Sequence, residues 1–425
     1  MTAEMITSIS SENVKKKVSL RMYFWGITLP LILAGFNRAS YNEIAFPPMG
    51  SEIELLFTYG RPLAIAMLLA VIVLRALSIT KATRTLKYTG GAAWLLMLLN
   101  CYLSIKIAYY GEVTFAIGAL ALIILQFSVL SITTHQLFNV KNELQHTTRP
   151  TIDVVMIMVV AGIAITCINL YCLYLYPESV INNSKRLHGT TANPQHLAMS
   201  LSLTTPFFLT IFLRSSSSIL AKIPLIALTV SSIYLLLKTD SRTGAACFII
   251  MSLLIISLNT QKARISTKII FLSITGFLLT IFSREISMQA SVFFVDRGNT
   301  RLDNWELALD LFDENLLFGA PPLLGGGRLL FVESAWLALL SAGGIVAGLF
   351  ALVLIGYTVK FIFTSFARIR QLSNEQKDML VLTIGVLVAS VFEAIFLGIF
   401  VTHTMICYIA LGAIGSKRMK FSTKL

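Results

Sequence analysis

The chain has 425 residues, of which 56% are hydrophobic and only 13% are charged. Soluble domains average about 45–50% apolar and about 25% charged residues, so this composition excludes a soluble enzyme, a disordered protein and a disulfide-stapled secreted domain. A formal net charge of +13 would suggest nucleic acid as the partner of a soluble protein. In membrane proteins, however, basic residues collect in cytoplasmic loops. We therefore predict a polytopic membrane protein and no nucleic-acid partner.

The apolar runs predict about twelve transmembrane helices, since a helix needs roughly 20 mostly apolar residues to cross a bilayer. The chain is expected to be all-α because lipid offers no partners for unpaired backbone groups. The runs fall at 22–36, 62–80, 91–110, 113–131, 152–176, 196–213, 219–237, 244–260, 267–283, 332–358, 379–398 and 400–415. The five cysteines lie in or beside these runs without a CxxC pair, so we expect neither disulfides nor a metal site.

Charge predicts the orientation. A cytoplasmic N-terminus places the larger share of the 34 Lys and Arg residues in cytoplasmic loops, as the positive-inside rule requires. We predict a cytoplasmic segment 1–21, helices 1–9 over 22–283, a large external loop 284–331, helices 10–12 over 332–415, and a cytoplasmic tail 416–425. In the loop, Leu302, Trp305, Leu309 and Phe312 recur at helical spacing with acidic residues between them, which predicts a short amphipathic helix.

The basic residues that remain on the external face are mostly arginines, and they concentrate in three short segments. These segments are 185–196, 239–244 and 297–305. Arginine's planar fork matches phosphate oxygens, and its charge is permanent. For Arg186, Arg242 and Arg301, the alternative is helix-end anchoring or a salt bridge, for instance between Arg242 and Asp240. Because three such arginines are flanked by Gly, Ser and Asn, we favour a joint anion site.

Few other residues suggest chemistry. Glu333 precedes a strongly apolar run, so it is either a partner of the helix dipole or a general base facing the external cavity. Glu393 and His403 lie in the last two spans as satisfied polar residues, which we favour, or as part of a proton relay. His188 and His196 lack further ligands at zinc spacing. Without a Walker loop or a GxSxG elbow, we expect no cofactor, no metal and no nucleotide-driven reaction.

These segments resemble motifs of the O-antigen ligase and polymerase superfamily of bacterial membrane proteins. The matching stretches are His188 to Gln195, Ser241 to Gly244, Arg301 to Trp305 with Glu314 to Gly319, and Glu333 to Leu337 with Gly343 to Gly348. The resemblance implies a GT-C-like helical fold with about a dozen spans and a large periplasmic loop late in the chain. It also implies a metal-independent transfer of glycan from undecaprenyl diphosphate at the periplasmic face of the inner membrane.

The resemblance assigns roles to individual residues. Arg186, Arg242 and Arg301 would hold the donor diphosphate, and Glu333 would activate or position the acceptor hydroxyl. Substrate contacts would also come from His188, Asn193, Arg297, Asp303, Trp305 and Arg328. Ligases typically carry a His-Asn pair where this chain has Glu333-Ser334, which favours the polymerase branch.

The expected function is thus a polysaccharide polymerase of the O-antigen or exopolysaccharide type. Its partners would be undecaprenyl-diphosphate-linked glycans and the bilayer, with a chain-length regulator as a further candidate. Two alternatives stay open: an O-antigen ligase that transfers polymer to lipid A core, and a flippase or exporter of lipid-linked oligosaccharides. A flippase should carry charged residues at membrane depth inside the bundle, whereas here the basic residues cluster at one face.

Overall fold

The structure is a computed structural model, and it describes residues 24–37, 47–76, 91–109, 154–182, 185–215, 217–259, 301–321, 323–324, 328–329, 334–393, 395 and 401–414. The predicted spans 113–131 and 267–283 lie outside these residues, as do Arg297 and Glu333. The side chains of Arg301, Asp303 and Arg328 also lie outside the described part of the molecule.

The described chain is built from helices and one pair of two-residue strands. In chain order the helices are α1 (Phe24–Leu33), α2 (Ser51–Ala76), α3 (Gly91–Tyr109), α4 (Val154–Leu175), α5 (Pro177–Val180), α6 (Pro194–Thr204), α7 (Pro206–Arg214), α8 (Ile219–Lys238), α9 (Arg242–Asn259), α10 (Arg301–Glu314), α11 (Ala335–Ala367), α12 (Asn374–Phe392) and α13 (Thr402–Ala413). The antiparallel strands β1 (Leu323–Leu324) and β2 (Arg328–Leu329) stand between α10 and α11.

Within the described residues, six segments are long and apolar enough to cross a membrane: Ser51–Val71, Val154–Leu175, Pro194–Arg214, Leu220–Lys238, Arg242–Asn259 and Ala335–Ala367. Shorter apolar helices cover Phe24–Leu33 and Trp94–Lys106. The chain is therefore a helical, multi-pass membrane protein, as its composition predicts. The total of about twelve spans stays a prediction.

Helix α2 differs from the sequence expectation, because it begins at Ser51, well before the start of the predicted span 62–80. The start has a local cause. The Glu54 side chain accepts a hydrogen bond from the backbone N–H of Met49 (2.8 Å), and Glu52 adds a second acid in the first turn. Acidic residues in the first turn stabilise a helix N-terminus. The span 62–80 is predicted from apolar residues alone, so it does not include this turn.

The core forms around α6, whose side chains are almost all buried. Small residues let neighbouring helices approach it closely, as is common in membrane bundles. A Cβ added at Gly162 of α4 would lie 3.3 Å from Thr204, and one at Gly244 of α9 would lie 2.8 Å from the Cβ of Ala198. The predicted span 196–213 is confirmed as the apolar segment Pro194–Arg214. This segment consists of two helices, α6 and α7, and Pro206 begins the second.

Arg214, Asn259 and Asp378 join the ends of α7, α9 and α12. The guanidinium of Arg214 donates two hydrogen bonds of 2.7 Å to Asp378 and one of 2.8 Å from Nε to Asn259. This bidentate geometry is the strongest form of an arginine–carboxylate pair. Arg242 begins the 18-residue α9 and Asn259 ends it, so these two residues lie about 26 Å apart at opposite ends of the bundle.

Helix α11 is interrupted at Gly344, which has φ 61° and ψ −157°. The chain that follows α10 fills the interruption. The N–H groups of Ile345 and Val346 donate to the carbonyls of Leu316 and Leu317, so backbone groups released by the break regain partners. Irregular backbone at membrane depth is tolerated where protein surrounds it in this way.

Lys106 of α3 binds the same region. This region consists of the interruption of α11 at Gly344 and residues 316–320 after α10, and we term it the joint at Gly344. Its ammonium donates to the carbonyls of Phe318 (2.6 Å), Gly319 (2.7 Å), Ala320 (2.6 Å) and Ala342 (2.6 Å). The Lys106 side chain is buried, with 7% exposure. Lys106 lies near the end of the predicted span 91–110, and its contacts are to backbone carbonyls within the bundle.

Candidate functional site

Two of the three predicted basic segments lie against each other. The backbone N–H of Leu187 donates to the carbonyl of Lys238 (2.9 Å). The guanidinium of Arg186 donates from Nε to Thr239 (2.9 Å) and from Nη2 to Asp240 (3.2 Å). Arg186 thereby supplies partners for carbonyls at the end of α8, where a cation also interacts favourably with the helix dipole.

Arg242 is the first residue of α9, and its side chain is exposed. It follows a tight turn in which Asp240 has φ 51° and the hydroxyl of Ser241 accepts a hydrogen bond from the N–H of Gly244 (3.2 Å). Together with Lys185, Arg186 and Lys238, Arg242 forms a group of cations that we term the basic patch. The patch lies at the end of the bundle opposite Arg214, the end that the predicted topology makes periplasmic.

His188 and Asn193 shape the turn that leads into α6. The Nδ1 atom of His188 is 3.0 Å from the carbonyl oxygen of Thr191, and the side chain of Asn193 caps α6 by accepting from the N–H of Gln195 (2.8 Å). Gly189 adopts φ 59°, and the adjoining N–H of Thr190 donates to the buried Asn169 side chain (2.9 Å). The structure thus shows structural contacts for His188 and Asn193; substrate contacts remain predictions.

Residues 301–305 of the third basic segment belong to α10, which packs on the first part of α11. Trp305 and Leu337 pack around the buried pair Ala308 and Ala338. The amphipathic helix is confirmed as a helix, but its predicted apolar face is only partly correct because Leu309 is 46% exposed. Arg301 and Asp303 begin this helix, whereas Arg328 lies in β2.

Glu333 lies outside the described residues, but its neighbour Ser334 does not. The Ser334 hydroxyl caps α11 by accepting from the N–H of Leu337. In the sequence, Glu333 therefore directly precedes the helix cap. An acidic residue near a helix N-terminus is favoured by the helix dipole.

A second polar group comprises Arg61 of α2, His196 of α6 and His403 of α13, and we term it the Arg-His cluster. From the sequence alone, His196 is considered only as a zinc ligand and His403 only as a satisfied polar residue or part of a proton relay, and these residues are not related to each other. The imidazole rings of His196 and His403 lie 4.9 Å apart between centroids. Arg61 is within electrostatic range of His196. Because the two histidines are separated by 206 intervening residues, no local motif could have revealed their contact.

Nitrogen atoms of the cluster are buried without a hydrogen-bond partner among the described residues. They are Nε and Nη2 of Arg61, Nδ1 of His196 and Nδ1 of His403. A cavity of about 10 Å³, lined by none of these three residues, has a partly polar wall that includes Asn169, Thr190, Thr191, Ser200 and Thr402. This volume is close to what one water molecule needs.

No protein-family model matches the chain, and no curated protein matches it.

Proposed function

We propose that the chain is a polysaccharide polymerase that transfers a growing glycan from undecaprenyl diphosphate to a lipid-linked repeat unit at the periplasmic face. The basic patch is the observation that carries the proposal. The contacts of Arg186 and Leu187 with the end of α8 bring Lys185, Arg186, Lys238 and Arg242 together at one end of the bundle. A lipid-linked diphosphate presents its charge at such a position.

The transfer requires one bond to break and one to form. The glycosidic carbon leaves the phosphate oxygen of the donor and bonds to a hydroxyl oxygen of the acceptor, and the hydroxyl proton passes to a base. In this proposal Glu333 is the base. The lipid diphosphate leaves with the additional negative charge, and preorganised cations at that position lower the barrier. Arg242 and Arg301 would supply this stabilisation, with Arg186 supporting it through the position of the Thr239–Asp240 turn.

Arg242→Ala tests the assignment. Its side chain is exposed at a helix start, so its loss should leave the fold intact. Removal of one oxyanion-stabilising donor typically costs about 100- to 1,000-fold in rate, and we expect a loss of that order in polymer formed by proteoliposomes supplied with lipid-linked repeat units. Arg370→Ala, another exposed arginine, is the control. Wild-type polymer length and rate in the Arg242 variant would remove the diphosphate assignment.

Deletion of the gene in its native host separates polymerase from ligase. Loss of a polymerase leaves a single repeat unit on lipid A core, so that the surface glycan shows no ladder on a gel. Full-length polymer retained on undecaprenyl diphosphate, with unmodified core, would instead identify a ligase.

One observation favours the exporter as a second candidate. Arg61 lies ten residues after the start of α2, about 15 Å along the helix axis, and two of its guanidinium nitrogens are buried. Charged groups inside a bundle often mark a transport path. Purified protein that moves a fluorescent lipid-linked oligosaccharide across liposomes without extending it would support the exporter over the polymerase.

A further inference from the structure

Three tyrosines lie close together where α4 ends and α5 begins. Tyr171 and Tyr174 are three residues apart and therefore share one face of α4, and their side chains are 48% and 85% exposed. The ring of Tyr176, the residue before α5, makes a T-shaped contact with the ring of Tyr171, with 6.4 Å between the centroids. Such rings offer a ligand apolar surface together with polar hydroxyl groups.

The carboxylate of Glu52 joins the tyrosines from the start of α2. Gly50 leaves room for this approach, since a Cβ added there would collide with the Tyr176 hydroxyl and would lie 3.0 Å from Oε2 of Glu52. The hydroxyl and the carboxylate therefore border the same small space, and Glu52 is itself exposed. We term Glu52, Tyr171, Tyr174 and Tyr176 the tyrosine platform.

The helices that carry the platform are packed together beneath it. Met49 and Ile53 at the start of α2, Cys172 of α4 and Val180 of α5 belong to one buried apolar cluster. Leu187, which adjoins Arg186 of the basic patch, belongs to the same cluster. The platform thus has a fixed base that it shares with the patch.

The chain between the platform and the basic patch keeps them near each other. Ile181 pairs with Leu187 in an antiparallel bridge, and the N–H of Asn182 donates to the carbonyl of Arg186 (3.0 Å). Tyr176 precedes Ile181 by five residues, which span at most about 18 Å even when fully extended. An oligosaccharide of a few sugars whose diphosphate lies at the patch can therefore reach the platform.

Charge indicates which part of a lipid-linked glycan each surface binds. The cations of the basic patch attract the diphosphate, whereas Glu52 repels it, as does Glu178 in the first turn of α5. A sugar ring has apolar C–H faces that stack on aromatic rings, and its hydroxyls donate to carboxylates in charge-assisted hydrogen bonds. The platform therefore matches an uncharged sugar.

A general preference of tyrosine for the membrane surface is the alternative explanation. It would account for an exposed Tyr174 at a helix end, but it requires neither the contact between two rings nor the carboxylate beside them. Tyr109 at the end of α3 is 83% exposed, nearly the same as Tyr174. It is therefore the matched control for this alternative.

We propose that the tyrosine platform binds an uncharged sugar of the lipid-linked repeat unit whose diphosphate lies at the basic patch. The rings of Tyr171 and Tyr174 supply the stacking surface, and Glu52 and the Tyr176 hydroxyl supply hydrogen bonds. This inference rests on the proposed function, because it names the surface that holds the glycan part of the same substrate.

The test uses the purified full chain in lipid nanodiscs, which contain no sugar detergent. The probe is the repeat-unit oligosaccharide released by mild acid from the lipid-linked intermediate of the native host, and saturation-transfer NMR measures its binding. Because tyrosines are frequent hot spots of binding, we expect at least about tenfold weaker binding in Tyr174→Ala. Tyr109→Ala should bind as wild type does. A wild-type protein that does not bind the oligosaccharide, or equal affinities in the two variants, would overturn the proposal.

Milder substitutions separate ligand contact from folding. Tyr174→Phe keeps the ring and should bind as wild type does. Glu52→Gln removes the charge, and Gly50→Ala displaces the Tyr176 hydroxyl at a position whose φ is not in the left-handed region; both should weaken binding. A Tyr174→Phe variant as weak as Tyr174→Ala would contradict the stacking contact, and unchanged affinity in both of the other variants would contradict the hydrogen bonds.

Farnesyl diphosphate reports separately on the basic patch, because it carries a lipid diphosphate without a sugar. Its affinity, measured by calorimetry on the same nanodiscs, should fall in Arg242→Ala. Oligosaccharide binding that depends on Tyr174, in a protein that binds no farnesyl diphosphate and forms no polymer, would support the platform and reject the polymerase. Farnesyl diphosphate binding that depends on Arg242, with the same oligosaccharide affinity in wild type and Tyr174→Ala, would support the diphosphate site and overturn the platform.

Discussion

Lys106 provides the sharpest test of the joint at Gly344. Substitution by methionine preserves most of the side-chain volume and removes the ammonium, so the carbonyls of Phe318, Gly319, Ala320 and Ala342 lose their contacts of 2.6–2.7 Å. Tyr102 still donates to Phe318. We expect the variant to insert into the membrane and to be less stable.

The magnitude follows from the hydrogen bonds. A buried acceptor left without its donor costs about 1–3 kcal/mol, and three carbonyls here lose the ammonium without a hydroxyl to replace it, for a gross loss of about 3–9 kcal/mol. Removing a buried charge returns several kcal/mol of desolvation. The expected net loss is therefore about 2–4 kcal/mol in the free energy of unfolding.

The chain carries its own probes for the assay. Cys172, Cys247 and Cys407 are free and buried, so a thiol-reactive dye reports their exposure during thermal unfolding. At roughly 2–4 °C per kcal/mol, the unfolding midpoint of Lys106→Met should fall by at least about 4 °C. Lys185→Met, at an exposed position, should stay within about 1 °C of wild type. A Lys106 variant as stable as that control would refute the role of the ammonium.

Two further predictions concern the backbone strain at Gly344 and the ion pair between Arg214 and Asp378. Gly344→Ala should lower the free energy of unfolding by at least about 1–3 kcal/mol, because an L-residue is strained at φ 61°. Gly356→Ala, in the same helix with nothing within 4 Å of an added Cβ, should be neutral or stabilising by up to about 1 kcal/mol; equal loss in both would show that the break is unimportant. Asp378→Asn should lower the free energy of unfolding by about 1–3 kcal/mol, because it weakens the charge-assisted hydrogen bonds from Arg214. Stability at the wild-type value, measured with the same dye, would contradict this estimate.

The sequence predicted the class of fold because apolar run length reports directly on membrane spanning. It located α3, α4, α8 and α9 to within about two residues at both ends, whereas α12 (Asn374–Phe392) begins and ends several residues before the predicted run 379–398. It misplaced the start of α2, where Glu52 and Glu54 stabilise a helix turn that hydropathy scores as loop. It also gave no sign of the break in α11, because the partners of that break come from Lys106 and from residues 316–320.

In the candidate site, the sequence predicted the residues that lie in short local segments and missed those that distant helices bring together. Arg186 and Arg242 stand in short segments with turn residues, and the structure places those segments in contact. The Arg-His cluster draws one residue from each of three distant helices, so nothing local in the sequence relates Arg61 to His403. Composition and spacing describe a neighbourhood along the chain, whereas such a cluster exists only after α2, α6 and α13 have packed.

The joint at Gly344 has a consequence for the order in which the protein is made. Lys106 emerges from the ribosome 212 residues before Phe318, which at about 5–20 residues per second is a delay of about 10–40 seconds. During that time its ammonium lacks the carbonyls that later surround it. Lys106 is three residues from the end of α3 at Tyr109, near enough for its long side chain to reach the hydrated lipid head groups. Once residues 318–320 and α11 have been synthesised, their carbonyls can bind the ammonium of Lys106. A late segment of the chain thus completes the packing of the early helix α3.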